Sequence, residues 1–175
     1  MSYPTKPRVL IPRAEIDDVV TRLAAEISRD YRDKNLLMLG ILKGAFVFMA
    51  DLVRRLDFPL EVEFIRLSSY SSGQQTQGSV KVVQGLRRNL KGRHVLIVED
   101  IVDTGITLSF LIDYLKKKKA SSVRLCALTD KVSRRRVPVE IDYKGLTVPD
   151  KFLVGYGLDF NEQYRNLPDI CVLED

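Results

Sequence analysis

The stretch VLIVEDIVDTGITL, Val95 to Leu108, decides the fold. With His94 ahead of it, its first half is a continuous aliphatic run, the pattern of a strand buried on both faces. The run ends in two adjacent carboxylates, Glu99 and Asp100. It then reaches Asp103-Thr104-Gly105-Ile106-Thr107, where GITLSFLIDYLKKKKA reads as a helix. Small residues, hydroxyls, a glycine able to take positive φ, and N–H groups at a helix start together make a site for a phosphate monoester. Carboxylates beside a phosphate repel it unless a sugar diol or a hard cation such as Mg²⁺ stands between them. The plainer alternative is a strand end with Asp103 serving as the helix N-cap.

Working outward, NLLMLGIL from Asn35 is a second short apolar run, bounded by Lys43-Gly44, and reads as a buried strand. GAFVFMADLVRRL follows as a helix, and PLEVEFIRLSSY alternates as a strand does. VKVVQGL, SVRLCALTD, EIDYKGLTV and KFLVGYGLDF supply further strands. Upstream, AEIDDVVTRLAAEISRDY places Ile16, Val19, Val20, Leu23 and Ile27 on one helical face. Strand–helix–strand alternation predicts an α/β fold with a largely parallel twisted sheet and helices on both faces. Ligands of such sheets bind outside the carboxyl ends of the strands, where the acidic pair lies. SSYSSGQQTQGS, without an aliphatic residue, reads on composition as a solvated loop.

At 175 residues the chain suits one domain, large enough to bury about 70% of its unfolded surface. With 45% hydrophobic and 29% charged residues, it is neither collagen-like nor wholly disordered. Lys+Arg 28 against Asp+Glu 23 gives a net charge of +5, which suits a phosphate ester or nucleotide. Lys116 to Lys119 read as the solvated cationic last turn of a helix, and Arg134, Arg135 and Arg136 as a solvated face. MSYPTKPRVL holds no signal-peptide core, and no run approaches the ~20 apolar residues of a membrane span. The expectation is a cytoplasmic protein that engages neither membrane nor nucleic acid.

Several chemistries lack material. There is no Walker-type phosphate loop, and Gly155-Tyr156-Gly157 is only a fragment of a dinucleotide fingerprint. The one histidine, His94, cannot furnish a zinc site or a histidine triad with two scattered cysteines. Cys126 and Cys171 sit in apolar runs and read as small core residues. Metal chemistry would have to rest on carboxylates and a hard cation.

The whole pattern of apolar strand, acidic pair and D-T-G-x-T resembles the type I phosphoribosyltransferase family, in its motif for phosphoribosyl pyrophosphate (PRPP). LKGAFVF at Leu42–Phe48, SSY at Ser68–Tyr70, TDKVSRR at Thr129–Arg135 and DKFLVGYGLDFNEQYRNLPDICVL at Asp150–Leu173 resemble its hypoxanthine-guanine branch. The resemblance covers most of the chain from about Leu36 onward. It implies one domain over 1–175. The core would lie at about 36–150, a small hood would be built from about 1–15 and 150–175, and a flexible loop would span about 68–80.

The implied reaction joins a purine nitrogen to the anomeric carbon of PRPP and expels pyrophosphate, giving IMP or GMP in purine salvage. The resemblance assigns Glu99 and Asp100 to the ribose hydroxyls and Mg²⁺, with Asp159 as a further metal ligand beside the purine. It makes Asp103 the general acid/base, and Thr104, Gly105 and Thr107 the lining of the ribose phosphate. Ile106 stands where some relatives carry lysine, which matters little where backbone groups bind. Lys43 and Gly44 match a pyrophosphate-binding pair, often reached through a non-proline cis peptide, and Arg165 a guanidinium on pyrophosphate. Ser69 and Tyr70 match the loop that closes over PRPP.

Lys131 matches the donor to the exocyclic oxygen of the purine. An ammonium only donates, so it suits an oxopurine and not adenine's amino group, without separating hypoxanthine, guanine and xanthine. Phe152 matches the aromatic that stacks on the base, Leu153 the backbone that meets its Watson–Crick edge, and Ile101 a purine neighbour. Relatives form homodimers and homotetramers. A PRPP-sensing regulator of nucleic acid would carry a winged helix or a continuous basic face, and the chain shows neither.

Overall fold

Strands that are apolar on both faces need cover on both, and the fold provides it. The computed structural model describes residues 6–70, 79–86 and 88–173. Along the chain, β1 (Arg8–Ile11) leads into α1 (Arg13–Tyr31), β2 (Leu36–Leu42), α2 (Phe46–Val53), β3 (Glu61–Tyr70) and β4 (Ser79–Gln84). There follow β5 (His94–Val102), α3 (Ile106–Lys117), β6 (Ser122–Asp130) and a 3-10 turn at Val132–Arg134. The last elements are β7 (Tyr143–Thr147), β8 (Leu153–Val154) and β9 (Ile170–Val172).

Six strands form one sheet in the order β4-β3-β2-β5-β6-β7. Every neighbouring pair is parallel except β3 with β4. Side chains alternate between its faces. Met38, Leu96 and Cys126 pack with Val20, Leu23 and Ile27 of α1 and Phe48 and Leu52 of α2. Leu37, Leu39, Val95, Ile97 and Leu125 pack beneath Leu108, Leu111 and Leu115 of α3. Each such buried aliphatic contributes about 1.5–3 kcal/mol relative to exposure, so both faces of β2 and β5 hold the fold together. Cys126 and Cys171 are buried free thiols.

The chain leaves β2 through α2 toward β3, and leaves β5 through α3 toward β6. The winding therefore reverses between β2 and β5, and a crevice opens at their carboxyl ends. A second, antiparallel sheet, β1-β9-β8, brings the two ends of the chain together. Asp169 Oδ1 accepts the Arg13 amide at 2.7 Å, tying this small sheet to the first turn of α1.

KFLVGYGLDF, expected to run as a strand, is one only at Leu153–Val154. Gly155 and Gly157 take φ of +93° and +98°, and Tyr156, Asn161, Glu162 and Tyr164 are also left-handed. The segment from Gly155 to Arg165 is thus a coiled loop, pinned by the Tyr156 hydroxyl donating to Asp51 Oδ2 of α2 at 2.7 Å. Of the segment expected as a loop, the backbone of Ser68–Tyr70 pairs with Ser79–Lys81. Residues 71–78 lie outside the described residues.

Candidate active site

The crevice is a cleft of about 300 Å³ lined by Lys43, Gly44, Asp100, Ile101, Asp103, Lys131, Phe152, Leu153, Leu158, Asp159 and Arg165. Ten of these eleven carry roles in the sequence reading, although they come from the ends of β2, β5 and β6, from β8 and from the segments on either side of β8. Glu99 adjoins the cleft through Asp100, and Thr104, Gly105 and Thr107 continue from Asp103. Ser69 and Tyr70 end β3; beyond their backbone pairing, they fall outside the described side chains.

The acidic pair sits where burial is costly. Asp100 is buried, and its Oδ1 accepts the Ile101 amide at 2.9 Å. Desolvation pushes its carboxyl up to about 6, against the amide bond and the Arg165 charge. Glu99 Oε2 is enclosed without a hydrogen-bond partner. Burial, and then the Asp100 charge, raise its carboxyl well above the ordinary range. Asp100 also explains Gly44: a Cβ there would stand 1.8 Å from Asp100 Oδ2. The peptide bond between Leu42 and Lys43 is cis.

Asp103 is not the helix cap. The N-cap of α3 is Gly105, at φ +82°, with no side-chain cap bond. Asp103 Oδ1 is buried without a hydrogen bond, although Arg134 Nε lies 3.4 Å away. The loop ahead of α3 is held from outside: Thr104 O accepts the amides of Arg136 and Val137, each at 3.0 Å. A Cβ at Gly105 would stand 2.4 Å from Val137 O. The first-turn N–H groups of α3 lack intrahelical partners and carry the positive end of its dipole.

Lys131 is 9% exposed, and its ammonium donates to Lys151 O at 2.9 Å, with Asp150 Oδ1 at 4.0 Å. Its remaining donors need acceptors. Phe152 is 53% exposed and meets Phe160 edge to face, at 5.4 Å between ring centroids. An aromatic left this open at the mouth of a polar cleft is free to stack on a planar ligand. Arg165 spans Asp159 Oδ1 at 2.8 Å and Gly157 O at 2.7 Å, while Lys43 Nζ meets Glu162 Oε2 at 2.8 Å.

Of the arginine triplet, Arg134 and Arg136 are exposed as the sequence reading has them, and Arg135 alone corrects it. Arg135 is largely buried and pairs with buried Asp130, which Lys144 also meets at 2.9 Å, while Arg134 lies beside Asp103. The missed signal was Asp130: a buried carboxylate ending an apolar strand needs a cation, and Arg135 lies five residues on. Leu158, inside a stretch that reads as a strand, and Glu162, just beyond it, were also missed.

Among the described residues no three acidic, histidine or cysteine side chains cluster as a metal cage. The donor set is oxygen-only and sparse: Asp100, Asp159, and Glu99 with its partnerless Oε2. It suits a hard divalent cation that takes its remaining ligands from substrate and water.

The sequence pattern of the phosphoribosyl transferase domain matches residues 12–161, which include α1, the whole main sheet and the acidic pair. The chain belongs to the phosphoribosyltransferase family. Within it, the chain is 45% identical over 168 residues to the hypoxanthine-guanine phosphoribosyltransferase of Streptococcus pneumoniae, covering 96% of this chain and 93% of that one. It is 47% identical over 167 residues to the bifunctional protein TilS/HprT of Listeria innocua, covering 95% of this chain and 26% of that protein. It therefore spans about a quarter of that relative's length. A hypoxanthine phosphoribosyltransferase of Staphylococcus aureus superposes with a TM-score of 0.91 at 40% identity, covering 95% and 91% of the two chains. The chain thus shares its fold, and not only its motif, with proteins named as hypoxanthine and hypoxanthine-guanine phosphoribosyltransferases. No helix of the described residues is long and apolar enough to cross a membrane.

Proposed function

We propose that the chain transfers the phosphoribosyl group of PRPP to hypoxanthine or guanine, giving IMP or GMP and pyrophosphate. The observation that carries this reading is the convergence in one cleft of Asp103, Lys131, Phe152, Lys43 and Arg165. These are an acid/base, an oxygen-directed donor, a stacking surface and two cations.

The purine lies against Phe152 and Ile101, its exocyclic oxygen accepting from the Lys131 ammonium and its Watson–Crick edge facing the Leu153 backbone. The ribose hydroxyls donate to Glu99 and Asp100, and the 5′-phosphate accepts from N–H and hydroxyl groups of Thr104, Gly105 and Thr107. Lys43, the Gly44 backbone and Arg165 hold pyrophosphate, with Ser69 and Tyr70 at its outer side. As the bond from the anomeric carbon to the pyrophosphate oxygen breaks, a purine nitrogen takes its place and Asp103 receives the displaced ring proton. Asp159, with Glu99 and Asp100, would hold Mg²⁺, whose charge would offset that of the departing pyrophosphate. Leaving Lys131 without an acceptor excludes adenine, the kind of mismatch that gives discrimination on the order of 10⁴–10⁵.

In this reading residues 1–175 act as one unit. The small sheet serves as a hood over the purine, and the segment about 68–80 serves as the cover. The protein works in the cytoplasm as a homodimer or homotetramer, with no nucleic-acid or membrane partner. The test is incubation with PRPP and Mg²⁺ and, separately, hypoxanthine, guanine, xanthine and adenine, followed by absorbance. Turnover of hypoxanthine or guanine with adenine inert is expected; turnover of adenine, or of no base, overturns the reading.

A further inference from the structure

We infer that Glu162 is an internal stand-in for the pyrophosphate group. It neutralises Lys43 and Arg165 in the free protein and is displaced when PRPP binds. This rests on the functional reading above, which puts both cations on pyrophosphate.

One carboxylate oxygen does the bridging. Glu162 Oε2 lies 2.8 Å from Lys43 Nζ and 3.4 Å from Arg165 Nη2. The two cations come from segments 122 positions apart in the chain, at the end of β2 and in the loop after β8. An acceptor is what they share. The backbone aims it there: Glu162 is left-handed, at φ +63°, and its amide donates to Asp159 Oδ2 at 2.9 Å. Asp159 in turn takes Arg165 at 2.8 Å, so the same carboxylate holds the Glu162 main chain and one of the two cations that Glu162 meets.

The side chain itself is easily moved. It is 65% exposed, and the Lys43 side chain is 47% exposed. An exposed ion pair of this kind is weak, and a ligand carrying several phosphate oxygens outcompetes it. Glu162 therefore sets two properties. It keeps two cations that would repel each other close together and oriented, and it competes with pyrophosphate, which favours release of the product.

The test is calorimetric titration of wild type and Glu162→Gln with Mg²⁺-pyrophosphate and, separately, with GMP. The amide keeps the shape and loses the charge. Pyrophosphate is expected to bind the variant about three- to tenfold more tightly, from loss of the competing pair and of its repulsion. GMP affinity should be unchanged. In a Lys43→Met background the gain from Glu162→Gln should shrink, because one of the two contacts has gone. Pyrophosphate affinity that is equal or weaker in Glu162→Gln, with wild-type turnover intact, overturns this inference alone. Wild type that neither binds pyrophosphate nor turns over a purine overturns it together with the functional reading.

Discussion

Two pairs of carboxylates at opposite ends of the parallel sheet fare in opposite ways, although Asp130 at the carboxyl end of β6 does have its cations. At the amino ends Asp30 and Glu61 both have partners. Asp30 Oδ2 accepts the Tyr143 hydroxyl at 2.7 Å and Arg124 at 3.1 Å, and the tyrosine bond above all holds its carboxyl below the ordinary range. Glu61 meets Arg93 at 2.9 Å and Arg88, and it too is held low, mainly by Arg93. His94 joins this end through its Nδ1, 2.8 Å from Ser122 Oγ. At the carboxyl ends Glu99 and Asp100 are enclosed, short of partners and held high. A fold selected for stability alone would treat both ends like the first. The second end carries a cost that only a ligand relieves.

The largest effect expected from breaking this contrast is chemical. Asp103→Asn should lower kcat with hypoxanthine by on the order of 10²–10⁴-fold with little change in Tm, read by steady-state absorbance and thermal melting. Lys131→Met removes the ammonium and should lower kcat/KM for hypoxanthine on the order of 10²-fold. Assays of both bases should show the preference over adenine narrowing with it.

Asp100→Asn sharpens the comparison in the other direction. The folded-state value near 6 lies above the ordinary 3.8. The folded protein therefore binds the proton more tightly than the unfolded chain, and stability falls as pH rises from about 4 through 6. At pH 7 the full cost is present. The variant should be about 1–3 kcal/mol more stable there in urea unfolding, with that part of the pH dependence flattened and turnover lost. Asp30→Ala should do the reverse at the amino end. It should lose about 1–2 kcal/mol at pH 7 with turnover kept, and the lost contribution is one the wild type gives up only as pH falls below 3.8. If Asp30→Ala stabilised and Asp100→Asn destabilised, the contrast would fail.

Much of this was legible in the residues. β2, β5 and β6 announce themselves as aliphatic runs, and the acidic pair followed by Asp103-Thr104-Gly105 fixes where the cleft opens, because a parallel sheet puts its ligands at the strands' carboxyl ends. What was not legible depends on contacts that only the folded chain makes. β1 and β9 have four and three residues, too few to show a period, and become strands only by pairing, while β8 keeps just two residues of the strand read there. Arg135 reads as solvated until β6 places Asp130 under it. Glu162 gains a role only because the left-handed turns after Gly155 bring it back to β2. Gly155 and Gly157 were the available sign that the strand would break there.

Thermal melting of wild type and Asp100→Asn, each with and without Mg²⁺ and PRPP, tests most directly whether the strained carboxylates await a ligand. With ligand at a hundredfold excess over Kd, wild type should gain about 2.7 kcal/mol, a rise in Tm of about 5–10 °C. Asp100→Asn should start from a higher Tm and rise by less than half as much. Equal rises from equal starting points would show that Asp100 neither strains the free protein nor meets the ligand, and would contradict the account.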